Sequence, residues 1–177
     1  MDARRREILD GARRAFAKYG YERATVERLE AEIGLSRGAI FHHFPKKFDL
    51  FFALAEADQE RAAKQWLDEG FGPLLRRIAD ENPAWVGVYL EIARMLRTDP
   101  DVREAWLRKS RDHDRLLLER MRELQDRGEV RDDVDATEIG RFLGVVLDGV
   151  ALSIGAGLSE NVEPLIRLVE DAIAPRK

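Results

Sequence analysis

Apolar residues return along this chain at steps of three and four almost from end to end. Ile8, Ala12, Ala15, Phe16 and Tyr19 share one face of a helix that Gly20 stops. Thr25 is placed to cap a short second helix carrying Val26, Leu29 and Ile33, which Gly34 ends. Ser36 is placed to cap a third, from Arg37 to His43, before Phe44-Pro45 breaks it. A fourth helix is expected from about Lys46 to Leu67, through Leu50, Phe51, Leu54 and Ala57. Gly70, Gly72 and Pro73 predict a break, and a short helix from about Leu74 to Ala79 ends at Asn82-Pro83. Helices over about 84–97 and 101–127 follow, with Asp99-Pro100 before the second and Gly128 behind it. Asp135 or Thr137 opens the next, which runs to Gly155–Gly157, and Ser159 is placed to cap the last, ending by Pro175. No stretch alternates with period two for long, so the pattern predicts an all-α chain of about nine helices.

Composition removes whole classes of chemistry. With no cysteine there is no disulfide framework, thiolate zinc site or cysteine nucleophile. No apolar run approaches the roughly 18–20 residues that span a bilayer, and MDARRREILD lacks the apolar core of a secretory signal. A cytoplasmic location is expected, with no membrane partner. The 177 residues, 45% hydrophobic and 36% charged, are enough for a real core.

The net charge of −4 conceals an asymmetry. Residues 1–47 carry eleven Lys/Arg against seven Asp/Glu, a balance of +4, while residues 48–177 carry −8. A positive head on an acidic body predicts that the head meets a polyanion and the body does something else.

The head has a geometry that uses its charge. Thr25 to Phe44 reads TVERLEAEIGLSRGAIFHHF, two short helices meeting at Gly34 with Leu29, Ile33, Leu35 and Ile40 spaced to share a small core. In a helix-turn-helix the second helix enters the DNA major groove and the first crosses the backbone. Arg37, His42 and His43 project from that second helix, and Gly38 and Ala39 leave room at its leading end. Thr25 and Lys47 each open a helix and are placed for phosphates. A glycine turn also occurs in ordinary three-helix subdomains, and the two histidines also read as surface residues; as neighbours they chelate one metal poorly.

The string GARRAFAKYGYERATVERLEAEIGLSRGAIFHHFPKKFDLFFAL resembles the N-terminal domain of the tetracycline-repressor (TetR) family of bacterial regulators. Gly20, Thr25, Gly34, Ser36, Gly38, Phe41, His43, Phe44, Lys47 and Leu50 fall on the family pattern. The resemblance implies phosphate contacts from Thr25, His43 and Lys47, and base-edge or groove contacts from Arg37, Gly38 and His42. It divides the chain into a DNA-binding head, 1–47, and a ligand-binding and dimerisation body, 48–177. Three positions depart from it. Phe41 stands where the family usually has tyrosine, Phe48 replaces a common acid, and Glu30 occupies a position that is normally small. That last acid must either turn outward or hold the two helices apart. Arg4-Arg5-Arg6 reads either as a solvated helix start or as a flexible arm adding DNA contacts.

In the body, the resemblance implies a homodimer built on the last two helices. Ile139, Phe142, Leu143, Val146, Leu147, Val150 and Ile154 stripe one of them, with Gly140, Gly144, Gly149 and Ala151 allowing close approach. Val162, Leu165, Ile166, Val169 and Ile173 stripe the other. Two such protomers imply a palindromic operator.

An effector pocket is expected where polar residues interrupt apolar stripes: His113, Arg120, Asp148 and Glu170, with Glu91 and Arg94 also out of pattern. Internal ion pairs, such as Arg120 with Glu170, explain the same interruptions. If the pocket is polar, Arg120 suits a carboxylate, and Glu170 facing that anion requires a bridging cation, magnesium being the natural choice. LEIARMLRTDP, Trp106 and VLDG extend the resemblance to the actinobacterial aconitase-repressor subgroup, which implies citrate as effector. An apolar effector is the alternative. A small helical enzyme using His113 and Glu170 is a further one, but no nucleophile elbow, glycine-rich phosphate loop or paired-histidine metal motif accompanies them, and no enzyme is expected.

Overall fold

A computed structural model describes residues 3–158 and 161–176, apart from the side chains at 67, 109, 112, 113 and 116. Nine helices run through the described residues: α1 Ala3–Tyr19, α2 Val26–Ile33, α3 Arg37–His43, α4 Lys47–Glu69, α5 Phe71–Ala79, α6 Pro83–Thr98, α7 Pro100–Asp126, α8 Ala136–Gly155 and α9 Glu163–Ile173. Among those residues there is no strand.

The helix starts follow side-chain chemistry. Ser36 accepts from the Ala39 N–H at 3.4 Å, Asn82 from that of Ala84 at 3.0 Å, and Asp135 from that of Thr137 at 2.8 Å. Thr25 occupies the cap position of α2 without making that bond. Gly34 closes α2 at φ +79°, a conformation that costs glycine nothing. The expected break at residues 70–73 is confined to Gly70. Gly72 and Pro73 lie inside α5, because Pro73 falls in the first turn, where its missing N–H is not needed. Ser159, expected to cap the last helix, lies outside the described residues, and α9 begins at Glu163.

Two cores organise the chain. The first joins Phe16, Leu29, Ile33, Ile40 and Phe44 of the head to Leu50, Phe51 and Leu54 of α4 and to Trp85, Val88 and Ile92 of α6. The head's core thus continues past residue 47 into the body. The second packs Phe71 and Leu75 of α5, Met121 of α7, Ile139, Leu143, Val150 and Ile154 of α8, and Ile166 and Val169 of α9. At Gly11 the close approach of α1 to α2 is absolute, since a Cβ there would lie 2.6 Å from the Ile33 Cα.

α4 belongs to both regions. Its 23 residues span about 34 Å, from the edge of the head to the start of α5.

Candidate DNA-binding head and effector cavity

The head presents the expected side chains on one small subdomain. Thr25, Arg37, Gly38 and His42 are exposed, whereas Ile40 and Phe44 are buried. Gly38 and His42 stand one turn apart on the same face of α3. His43 is half-buried, its ring edge-on to that of His42 with centroids 5.5 Å apart. Arg4, Arg5 and Arg6 are part of α1, where Arg4 pairs with Glu7 at 2.7 Å and the Arg5 guanidinium lies 4.4 Å from the Phe44 ring centroid.

Two head residues have partners that the sequence did not predict. Lys47 Nζ donates to the carbonyls of Tyr21, Glu22 and Ala24 at 2.7, 3.2 and 3.4 Å and sits 4.5 Å from the Tyr21 ring centroid. Burial lowers its pKa, against the pull of Glu22 and Glu91. The ammonium ties down the loop between α1 and α2. Glu30 does not turn away from α3; its Oε1 accepts the backbone N–H of Arg37.

In the body, a cavity of about 870 Å³ opens between α4, α5, α6, α7 and α8. Phe71, Leu74, Ile78, Val86, Leu117, Leu118, Met121, Leu143 and Leu147 supply apolar walls. All three tryptophans of the chain, Trp66, Trp85 and Trp106, line it. Gly140, Gly144 and Ala151, expected to serve close helix approach, line it as well. The close approach of α8 within the protomer is instead at Gly155, where a Cβ would lie 3.2 Å from the Gly87 nitrogen.

The expected effector residues separate. Asp148 lines the cavity, and although its side chain is accessible from that space, the surrounding protein pushes its carboxyl above the usual aspartate range. Arg120 does not line it; its Nη1 pairs with Glu123 at 2.5 Å, and its Nε is buried without a partner among the described residues. Glu170 does not line it either; it lies next to Gly72 and in the field of Arg76. The suggested Arg120–Glu170 pair is not formed. The His113 side chain lies outside the described residues. Among the described residues no three His, Asp or Glu side chains gather to hold a metal, so magnesium near Glu170 would depend on oxygens brought by the effector. Glu91 and Arg94 grip the head, since Glu91 accepts the Glu22 N–H at 3.2 Å and Arg94 pairs with the Glu22 carboxylate.

The polar centre of the cavity wall is Asp58. Its Oδ2 accepts from Trp85 Nε1 at 2.9 Å and from the Tyr89 hydroxyl at 3.1 Å. Arg13, reaching across from α1, donates to both carboxylate oxygens at 2.8 and 3.2 Å and to Glu81 at 3.1 Å. Burial alone would raise the Asp58 carboxyl, but Arg13, the Trp85 N–H and Arg61 together hold it below the usual range. Sequence reasoning missed this cluster, although a signal was present. Asp58 stands four residues from both Leu54 and Ala62, interrupting an apolar stripe as Asp148 does.

The family model described as "Bacterial regulatory proteins, tetR family" matches residues 8–54, and that of the "BetI-type transcriptional repressor, C-terminal" matches residues 74–175. The chain belongs to the TetR family. It is 44% identical to the HTH-type transcriptional repressor Rv1474c of Mycobacterium tuberculosis, over 98% of this chain and 94% of that protein. It is 43% identical to the HTH-type transcriptional repressor AcnR of Corynebacterium diphtheriae, over 98% of this chain and 93% of that protein. Among solved structures, Salmonella enterica GusR superposes with a TM-score of 0.75 at 24% identity, covering 96% of this chain and 92% of that one. A TetR regulator from Haloarcula marismortui superposes with a TM-score of 0.69 at 22% identity, covering 96% and 97%. These two likenesses concern the fold. The chain is a DNA-binding transcriptional repressor of the TetR family and not an enzyme.

For a TetR-family body, the outer surface of α8 and α9 is informative. Ile139, Leu143, Val150 and Ile154, four of the seven α8 residues expected to meet a second copy, are buried in the protomer's own core, and Leu147 faces the cavity. Of that stripe Phe142 stays exposed, joined by residues the stripe did not include: Val145 at 66%, Leu152 at 55% and Leu168 at 68%. Among the described residues, no helix is long and apolar enough to cross a membrane.

Proposed function

We propose that this repressor acts as a homodimer on a palindromic operator, and that a small molecule held in the cavity alters its grip on DNA. The observation that carries the reading is the cavity, about 870 Å³ and walled by α4, the helix whose first turn borders the head. Ligand sites typically occupy about 300–1,000 Å³ and are mostly apolar with a few convergent polar groups. Tryptophan-rich walls with Asp148 at one place and Asp58 at another fit an apolar effector with a small polar handle. The large apolar side chains left exposed on the last two helices, Phe142, Val145, Leu152 and Leu168, support a second copy as partner.

In this reading Thr25 and His43 hold phosphates while Arg37, Gly38 and His42 meet base edges. Two heads related by a two-fold axis read half-sites about 34–36 Å apart, one turn of DNA. An effector that shifts α4 changes that spacing, provided it binds the two spacings with different affinity. The protein then works in the cytoplasm, beside the chromosome. Selecting duplexes from a random pool tests the first half: a palindrome carrying two chains is expected, and recovery of no common sequence would overturn it. A thermal-shift screen tests the second half, and the screen should yield a compound that raises the melting temperature and alters operator affinity.

One observation favours an anionic effector instead. The buried Arg120 Nε without a partner among the described residues is a donor suited to a carboxylate. On that reading citrate, carried with magnesium, binds between Arg120 and the acids of the body. Calorimetry with citrate, with and without magnesium, should give a heat that Arg120→Ala abolishes. No heat under either condition refutes citrate.

A further inference from the structure

We propose that the Arg13–Asp58 pair is the joint through which the state of the cavity reaches the DNA-binding head. The inference rests on the cavity being the effector site. It adds the residues that transmit occupancy.

Arg13 belongs to α1, a helix of the head, and lies 45 residues from Asp58. Its guanidinium forks between two acids of the body, meeting Asp58 at 2.8 and 3.2 Å and Glu81 at 3.1 Å, with its carbon 4.5 Å from the Trp85 ring centroid. Every one of these body partners lines the cavity, as does Tyr89, the other donor to Asp58. One carboxylate therefore gathers α1, α4 and α6, with cavity on one side and head on the other. Arg61, one turn along α4, also pairs with Asp58.

The chemistry makes this a joint and not a loose contact. Asp58 and Arg13 keep only 17% and 25% of their side-chain surface exposed. Moving Asp58 thus leaves a partly desolvated guanidinium short of acceptors, and the favourable arrangements are few and discrete. A guest that turns Trp85 or displaces α4 removes donors from Asp58 and loosens α1. Coupling of this kind is reciprocal, so DNA bound at the head must be felt at the cavity wall.

That reciprocity supplies a test that requires no effector. All three tryptophans line the cavity, so their emission and acrylamide quenching report on it; Trp85 is also bonded to Asp58, so the DNA-induced change of each variant is measured against its own DNA-free spectrum. The full chain is titrated with a duplex selected from a random pool by the wild-type protein. Saturation should change the wild-type emission. Arg13→Met and Asp58→Asn should each bind the duplex some 5- to 150-fold more weakly, the usual span of allosteric coupling, and lose the emission change even when saturated. The double variant should bind no more weakly than the weaker single. Arg13→Lys keeps the charge without the fork and should retain at most part of the change; it is the working variant if the methionine form melts early.

A wild-type emission blind to DNA, a full response in saturated Arg13→Met or Arg13→Lys, or additive losses in the double variant would each overturn the proposal. The cavity reading fails separately. In that case 1-anilinonaphthalene-8-sulfonate would not bind the protein, while the response of the tryptophans to DNA still decides the joint.

Discussion

Glu30 Oε1 accepts the backbone N–H of Arg37 at 2.5 Å, so an acid of α2 caps the first residue of the recognition helix α3. One of the four N–H groups that a helix start leaves open is satisfied across the turn. The unusual acid at position 30 thereby fixes how Arg37 and the base-reading end of α3 are presented. Glu30→Ala should cost about 0.5–2 kcal/mol, as loss of a helix cap does, and weaken operator binding. Glu30→Gln retains an acceptor and should stay near wild type. Thermal melts and operator titrations check both, and equal losses in the two variants would show that the charge matters and the bond does not.

Lys47 was expected from the sequence to hold a phosphate, and losing one phosphate contact lowers the salt slope of binding by about 0.9. In the structure its protons are directed at three carbonyls of the loop before α2. Lys47→Met should therefore reduce stability by about 1–3 kcal/mol, the penalty for stranding partly buried polar groups, and leave the salt slope unchanged. A slope lower by about one unit with stability intact would show that the lysine turns outward onto DNA.

The α8–α9 face gives a test of assembly. Leu168 is 68% exposed and Val145 66%, so Leu168→Glu and Val145→Glu should leave the protomer folded. Sedimentation equilibrium should then find monomers, and operator affinity should fall by orders of magnitude because one head binds where two did. Dimers persisting in both variants would place the contact elsewhere.

Two aspartates of the cavity wall predict opposite responses to pH. Asp58 is held below its ordinary range, since Arg13 and the other donors outweigh burial. The ionised pair therefore stabilises the fold above the unfolded aspartate range, and that stabilisation is lost as pH falls through the folded pKa. Asp58→Asn should cost about 3 kcal/mol at pH 7, the low end for breaking a buried pair, and flatten the acid limb of the melting curve. Asp148 is raised by partial desolvation against the cavity wall, screened by the solvent that reaches it, so its ionised form weakly destabilises the fold at neutral pH. Asp148→Asn should raise the melting temperature at pH 7, with the gain vanishing in acid. Melting from pH 2 to 8 checks both signs.

The helices were legible because apolar spacing and caps act locally. Leu29, Ile33 and Ile40 fell where the turn required, and Gly34 adopts the positive φ that its place between two helices implied. The start of α5 was missed because Pro73 breaks a helix in its middle but fits its first turn. Asp148 was legible as an interruption, and Asp58 carried the same signal. Its meaning depended on Arg13, 45 residues away, and such a pairing is set by how α1 packs across α4. Arg120 and Glu170 went wrong as a pair for the same reason. Periodicity gives the face of a helix, and packing decides what that face meets.

The most direct measurement of the central claim, a repressor governed through its cavity, is operator affinity with and without a compound that raises the melting temperature of the free protein. The account predicts that such a compound changes operator affinity at least fivefold, about 1 kcal/mol of coupling. Operator affinity unmoved by every compound that stabilises the free protein would contradict it.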